Sequence, residues 1–127
     1  MDPLDKIFTS EREVDPQVLA DILFPYIKIN AEDNSIYLTD LGNTLPVNNK
    51  LLVFLLARKA LKLKDKVEIE GVSPTDILEA THLKDGSVHP GLKKLKESGL
   101  VTAKEGKYFI PNYKINKIKD IFTKQDK

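Results

Sequence analysis

The fold of this chain is decided by the stretch Gly86-Ser87-Val88-His89-Pro90-Gly91-Leu92-Lys93-Lys94-Leu95-Lys96-Glu97-Ser98-Gly99-Leu100-Val101. Its apolar residues Val88, Leu92 and Leu95 repeat at helical spacing, so one face of a helix is expected to turn inward. Gly99 follows the last of them, where a glycine commonly ends a helix in a left-handed conformation. The stretch therefore predicts a helix from Ser87 to Ser98.

A shorter helix is predicted immediately before this stretch. Ser73 suits an N-cap, Pro74 suits the first helical position, and Asp76 can complete a capping box. Apolar residues at helical spacing follow, and then a tight connector that contains His82. Two helices joined by a short turn are the result.

A β-hairpin is predicted after the second helix, with strands at 101–103 and 108–110 and a turn that contains Gly106. Helix, turn, helix and hairpin in this order resemble the winged helix-turn-helix superfamily of bacterial and archaeal transcription regulators. The resemblance covers Asn49 to about Asn112. It is carried by Ile77-Leu78-Glu79-Ala80-Thr81-His82-Leu83, Ser87-Val88, Leu92-Lys93-Lys94-Leu95 and Ser98-Gly99-Leu100-Val101.

Two departures from the superfamily pattern bear on function. His82 stands where the superfamily usually has Gly, although His tolerates positive φ better than most residues. Pro90 and Gly91 stand where regulators often place long polar side chains that read bases. We expect Pro90 in the first turn, where its missing amide has no intrahelical partner. Base-specific readout is expected to be modest.

The resemblance implies binding of double-stranded DNA, with the second helix in the major groove and the hairpin as a wing. Short polar side chains at the start of this helix would reach base edges or phosphates, and lysines would contact phosphates. The predicted DNA-binding residues are Ser87, His89, Lys93, Lys94, Lys96, Lys104 and Lys107. Neither the helix nor the wing contains Arg, so backbone contacts are expected to dominate affinity.

Charge is distributed unevenly along the 127 residues, although the formal net charge is only +1. Residues 1–46 hold three basic and nine acidic side chains, a net of −6, which leaves 17 basic and 10 acidic side chains, or +7, in residues 47–127. Such asymmetry suggests a basic working surface joined to an acidic accessory segment. Chance differences between solvated faces are the alternative, but we favour the functional interpretation because the basic half is also the half that resembles a winged helix.

The composition of 41% hydrophobic and 31% charged residues is typical of one globular unit. Cysteine is absent, which excludes disulfides and thiol chemistry and fits a cytoplasmic location. No apolar run is long enough to span a bilayer, and no signal peptide is apparent. A membrane partner is therefore not expected.

Residues 1–46 are predicted to form an extension of a helix and a β-hairpin. Leu4, Ile7 and Phe8 suggest a short docking helix, and Asp15-Pro16 caps and starts the next helix. Strands at 26–30 and 36–39 flank turn residues and form the hairpin. The fold class expected for the whole chain is mainly helical α+β.

Residues 47–112 are predicted to be the winged helix-turn-helix domain. Asn48 or Asn49 can cap a scaffold helix whose segment 51–57 is apolar on every side and hence buried all round. Beyond it the pattern becomes amphipathic, with Ala60, Leu61 and Leu63 inward and Arg58, Lys59, Lys62 and Lys64 outward. Residues 67–72 include a short third strand.

Residues 113–127 are predicted to be an amphipathic C-terminal helix with a stripe formed by Ile115, Ile118 and Phe122. The stripe either packs on the same chain or pairs with a second subunit, so a homodimer through this helix or through the N-terminal segment is one expectation. A combined alternative is that the acidic segment covers the basic helix until a partner removes it.

Enzymatic chemistry is not expected. His82 and His89 lack a carboxylate at a spacing that marks a metal site or a triad, and no Gly-rich phosphate loop occurs. No catalytic residue, metal or cofactor is predicted. The main competing interpretation is a winged helix that serves as a protein-interaction module within a larger assembly, since fold does not settle function.

Overall fold

A computed structural model describes residues 14–125, which form a mainly helical α+β structure and confirm the expected class. Besides helices and strands, the described residues include two short 3₁₀ turns, Gly42–Thr44 and Asn112–Lys114. The docking helix predicted near Leu4 lies outside the described residues. In chain order the elements are α1 Pro16–Leu23, β1 Ile27–Ile29, β2 Ile36–Leu38, α2 Val47–Leu63, α3 Pro74–Thr81, α4 Asp85–Glu97, β3 Thr102–Lys104, β4 Lys107–Phe109 and α5 Ile115–Gln125.

Helix α2 lies at the centre of the structure. Residues 51–57 are all buried, as their unbroken apolar run predicts, and α1, β1, α3, α4 and β4 all pack against this helix. Apolar side chains from these elements join those of α2 in one continuous core. A helix that is apolar on every side needs neighbours on every side, so α2 dictates where the other elements lie.

The N-terminal helix and hairpin form as predicted. The Asp15 carboxylate accepts a hydrogen bond of 2.9 Å from the Gln17 amide, and Pro16 occupies the first position of α1. Strands β1 and β2 pair antiparallel, with Lys28 opposite Tyr37. Their inward residues contribute to the core, so the hairpin is an integral layer of the structure.

Helix α5 folds back on the chain. Ile115, Ile118 and Phe122 are buried, and the Phe122 ring lies 5.4 Å from the ring of Tyr26. The helix packs mainly on α1. The apolar stripe considered above for subunit pairing is therefore covered within the chain itself.

Helix α3 and its connector agree with the sequence in detail. Ser73 and Asp76 exchange the two hydrogen bonds of a capping box, each 3.2 Å, and Pro74 opens the helix. His82 ends the helix with φ of 58°, and its amide donates to the Leu78 carbonyl at 2.9 Å. A non-glycine residue thus fills the left-handed position.

Helix α4 begins at Asp85, two residues earlier than predicted, and no side chain caps it. Pro90 consequently lies in the second turn and not in the first, so the Gly86 carbonyl loses its usual intrahelical donor. The end of the helix is as expected, because Gly99 has φ of 84°. The Leu100 amide donates to the Leu95 carbonyl, and the Gly99 amide donates to the Lys96 carbonyl. These two bonds form a Schellman motif.

Three sequence predictions in the scaffold region are wrong. Helix α2 starts at Val47 after Pro46, so neither Asn48 nor Asn49 caps it. The strand predicted over 67–72 shrinks to a single bridge between Val72 and Tyr108. The third error is in the orientation of two side chains near the end of α2: Lys59 is buried and Leu63 is 42% exposed.

No helix within residues 14–125 combines the length and the apolar character needed to cross a membrane.

Gly91 marks the close contact between α4 and α2. A Cβ atom at this position would lie 2.7 Å from Asn48 Oδ1 and 2.7 Å from Leu51 Cδ1. Gly86, on the same helix, has open space around the equivalent position. The two glycines therefore form a matched pair, one required by packing and one not.

We predict that Gly91→Ala lowers the free energy of unfolding by about 1 kcal/mol, because the ends of the Asn48 and Leu51 side chains must leave their packed positions to admit the methyl group. Gly86→Ala should leave it unchanged or raise it by up to about 1 kcal/mol, because alanine favours helix. Urea denaturation of both variants measures the difference. Equal effects would contradict the close contact between α2 and α4.

Candidate nucleic-acid interface

The exposed side of α4 carries the predicted contact residues in two rows. The inward side is formed by Val88, Gly91, Leu92 and Leu95, all buried. Helical spacing places one row on each flank of the opposite, solvent-facing side. One row contains His89 and Lys96, the other contains Ser87 and Lys94, and Lys93 lies between the two rows.

The outermost line of α4, between these rows, is partly acidic. It follows Gly86, Pro90, Lys93 and Glu97 at helical spacing, and all four are exposed. No ion pair joins Glu97 to a lysine in the part of the chain that the structure describes. The lysines therefore keep their charges free, and Lys93 is the one basic side chain on this central line.

The start of α4 departs most from expectation. His89 Nε2 lies 2.9 Å from Asp85 Oδ1, with both side chains more than half exposed. The Ser87 amide donates to the Lys84 carbonyl at 2.9 Å, so it is not free to bind a phosphate. Asp85 also adds a negative charge where the interface needs a positive one. Sequence reasoning missed this i,i+4 pair, although its spacing was visible once the helix start was known.

Lys84 is a basic residue that the sequence prediction omitted. It directly precedes α4 as its N-cap residue and is exposed. Positive charge beside a helix N-terminus suits an anion, because the free amides of the first turn point the same way. The position of Lys84 just before the predicted helix was the sequence feature that could have identified it as a candidate contact residue.

The β3–β4 hairpin presents its two lysines side by side. Lys104 and Lys107 are directly opposite each other in the register, and both are exposed. Glu105 and Gly106 form a two-residue turn with φ of 54° and 79°, the pattern of a type I′ hairpin. Adjacent like charges across a strand pair repel each other, and a bound anion would relieve that repulsion.

The hairpin is anchored to the scaffold by main-chain and buried polar contacts. Val72 and Tyr108 exchange two backbone hydrogen bonds of 3.0 and 2.7 Å. Below them, the Lys59 side chain, 3% exposed, pairs with Glu70 at 2.8 Å and donates to Asn112, which directly follows the strand region. The hairpin is thus held both by main-chain bonds to Val72 and by the buried ammonium group of Lys59.

Basic side chains of α2 also hold the segment that was predicted to be a strand. Arg58 donates to the carbonyls of Ile69 at 2.6 Å and Glu70 at 3.2 Å, and Lys62 donates to Glu68 at 2.9 Å. These bonds satisfy carbonyls that a sheet neighbour would otherwise satisfy. Side-chain donors take the place of strand pairing here, which explains why the sequence pattern of residues 67–72 wrongly predicted a strand.

Burial raises the pKa of the Glu70 carboxyl above its usual value, while the hydrogen bond and the charge of Lys59 act in the opposite direction. Arg58 and Lys62 also lower it through their charges. A raised folded-state pKa means that the protonated carboxyl favours the fold, and that this contribution is lost as pH rises through the folded-state pKa.

The chain matches no protein-family model, no curated protein and no solved structure. Within the described residues, no group of three or more His, Asp or Glu side chains is arranged to hold a metal ion. Any functional assignment must therefore be argued from the geometry above.

We predict that Lys59→Met destabilises the protein by about 3–5 kcal/mol at pH 8, because it leaves the Glu70 carboxylate buried without its partner. The deficit should shrink at pH 5, since losing Lys59 raises the Glu70 pKa further and the carboxyl then binds a proton in the folded state. Urea denaturation at both pH values measures the effect.

The double variant Lys59→Met with Glu70→Leu is the control. It removes both charges, so most of the lost stability should return and the added pH dependence should disappear. A Lys59→Met deficit that is the same at pH 5 and pH 8 would show that the pair is not coupled as described.

Proposed function

We propose that the chain is a winged helix-turn-helix protein that binds double-stranded DNA, with α4 as the recognition helix and β3–β4 as the wing. The observation that carries the proposal is the exposed, unpaired lysine set on α4, namely Lys93, Lys94 and Lys96. A helix, a short connector, a second helix and a twisted hairpin follow one another around α2, which fits this architecture. Because the sequence resembles transcription regulators, we propose that the protein regulates transcription in the cytoplasm.

The surface chemistry supports binding through phosphates more than through bases. Gly86 and Pro90 occupy the N-terminal half of the outer line of α4, where longer polar side chains would be needed to reach base edges, and Lys93 is the one basic side chain on that line. Asp85 holds His89, and no arginine lies on α4 or the hairpin. We therefore propose sequence-tolerant or modestly specific binding, in which α4 positions its lysines along the backbone.

The alternative function is a protein-interaction module. Three large apolar side chains in the N-terminal half support it, because Phe24, Tyr37 and Leu41 are 74%, 53% and 52% exposed. Altering Ile118 or Phe122 does not test this alternative, since both are core residues whose loss would disturb folding. A homodimer stays a prediction, and a C-terminal route to it would have to use the exposed face of α5.

We predict that binding to mixed genomic DNA weakens by about 10³-fold between 50 and 200 mM salt, because about five lysines would displace counterions from phosphates. Fluorescence anisotropy at several salt concentrations gives the slope. Binding that does not depend on salt, or no binding at 50 mM, would rule out this mechanism.

We predict that Lys93→Glu with Lys94→Glu weakens DNA binding by about 10²-fold or more at 50 mM salt and lowers the salt slope by about two. Thermal stability should stay within about 0.5 kcal/mol, because both side chains are exposed. Anisotropy and thermal melting measure the two effects.

The matched control is Lys117→Glu with Lys119→Glu on α5, where both lysines are also exposed. Either double variant replaces two positive with two negative charges and so takes the formal net charge from +1 to −3. An equal loss in both variants would indicate a general charge effect and would count against α4 as the interface.

A further inference from the structure

A groove of about 760 Å³ lies between the outer edge of β2 and helix α3. Phe54 and Arg58 of α2 line it, together with Val72. Residues from both faces of the hairpin also line it, since Ile36 is buried while Tyr37 is exposed. Because residues from both faces of β2 border the groove, the groove runs along the edge of this strand. A volume of about 760 Å³ is within the range of ligand-binding clefts.

The edge of β2 in this groove has unpaired main-chain groups. The Asn30 amide donates to the Ser35 carbonyl and the Thr39 amide to the Tyr26 carbonyl. With Lys28 opposite Tyr37, this register turns the amide and carbonyl groups of Ile36 and Leu38 away from β1. Neither residue's main chain has another hydrogen-bond partner among residues 14–125.

The edge also lacks some of the features that usually protect an exposed strand. Residues 34–39 contain no charged residue and no proline, and the β1–β2 register is continuous without a bulge. Natural edge strands are commonly protected by lysine, proline or a bulge, because an open edge accepts another strand. Shortness and coverage by a helix also protect edges; β2 has three residues and contacts α3 on one side. A strand edge that faces a cleft with free main-chain groups is the arrangement used when an extended peptide adds to a sheet.

The charges around the groove select the kind of peptide. Two donors of Arg58 already bind the Ile69 and Glu70 carbonyls, and Asp76 is close enough to interact with its charge. Glu79, in contrast, is exposed on α3 and has no hydrogen bond or ion pair in the described structure. The groove therefore holds one uncompensated negative charge beside an apolar floor.

We propose that this groove binds an extended segment of a partner protein as a third strand beside β2. Main-chain bonds to Ile36 and Leu38 would provide affinity, an apolar side chain of the segment would pack on the exposed ring of Tyr37, and a basic side chain would face Glu79. The groove includes none of the α4 or hairpin lysines, so this site is independent of DNA binding.

The test uses the full chain and a phage-displayed library of random heptapeptides. Selected peptides should alternate apolar residues and carry at least one Lys or Arg. They are synthesised and titrated by fluorescence anisotropy against the wild type, Leu38→Pro and Glu79→Lys. Leu38→Pro removes an amide that points away from β1, so the hairpin ladder keeps its bonds while affinity should fall about tenfold.

Glu79→Lys alters only an exposed side chain and should weaken basic peptides while leaving the thermal melting temperature close to that of the wild type. It keeps the proposal testable if Leu38→Pro does not fold. No enrichment over an unrelated control protein, selected peptides without a basic residue, or affinity indifferent to both variants would each overturn the proposal. So would a dimer that Leu38→Pro converts to monomer, since a second copy would then occupy the edge.

Discussion

The structure depends on the burial of α2 on every side. Its segment 51–57 has no solvent face, so each neighbouring element must provide an apolar surface to it. That requirement recruits α1 and the first hairpin from the N-terminal half as well as α3, α4 and β4 from the C-terminal half. Residues 14–46, the described part of the acidic segment, are therefore joined to the basic remainder by a shared core.

The two candidate interfaces lie on different elements and use different chemistry. Helix α4 offers dispersed positive charge and few side chains that could read bases, which suits a polyanion whose repeat does not depend on sequence. The β2 edge offers directional main-chain groups and an apolar floor, which suit an extended chain. The two proposed sites share no residue, so the proposals do not exclude each other.

Local signals in the sequence were reliable where one residue type satisfies one backbone need. Asp15, Ser73 with Asp76, and Gly99 define helix ends through bonds or φ values that few other residues can supply, and the structure has them as predicted. Long-range choices were not visible. Lys59 and Lys62 both lie in the amphipathic half of α2, and Lys59 is buried because it bonds to Glu70 and Asn112, which are distant in sequence. The start of α4 at Asp85 was likewise not predictable, because no side chain caps the helix there. The Asp85–His89 pair was missed for the same reason.

The Schellman motif after α4 has a consequence for how the protein can vary. The chain reverses between Leu95 and Leu100 through main-chain hydrogen bonds around one left-handed glycine, with no contribution from the hairpin side chains. The angle at which β3 leaves the helix is consequently independent of what the hairpin carries. Mutations that change the length or the charge of the hairpin tip therefore leave the direction of β3 unchanged. Related chains with different ligand preferences can arise in this way without changes in the helical core.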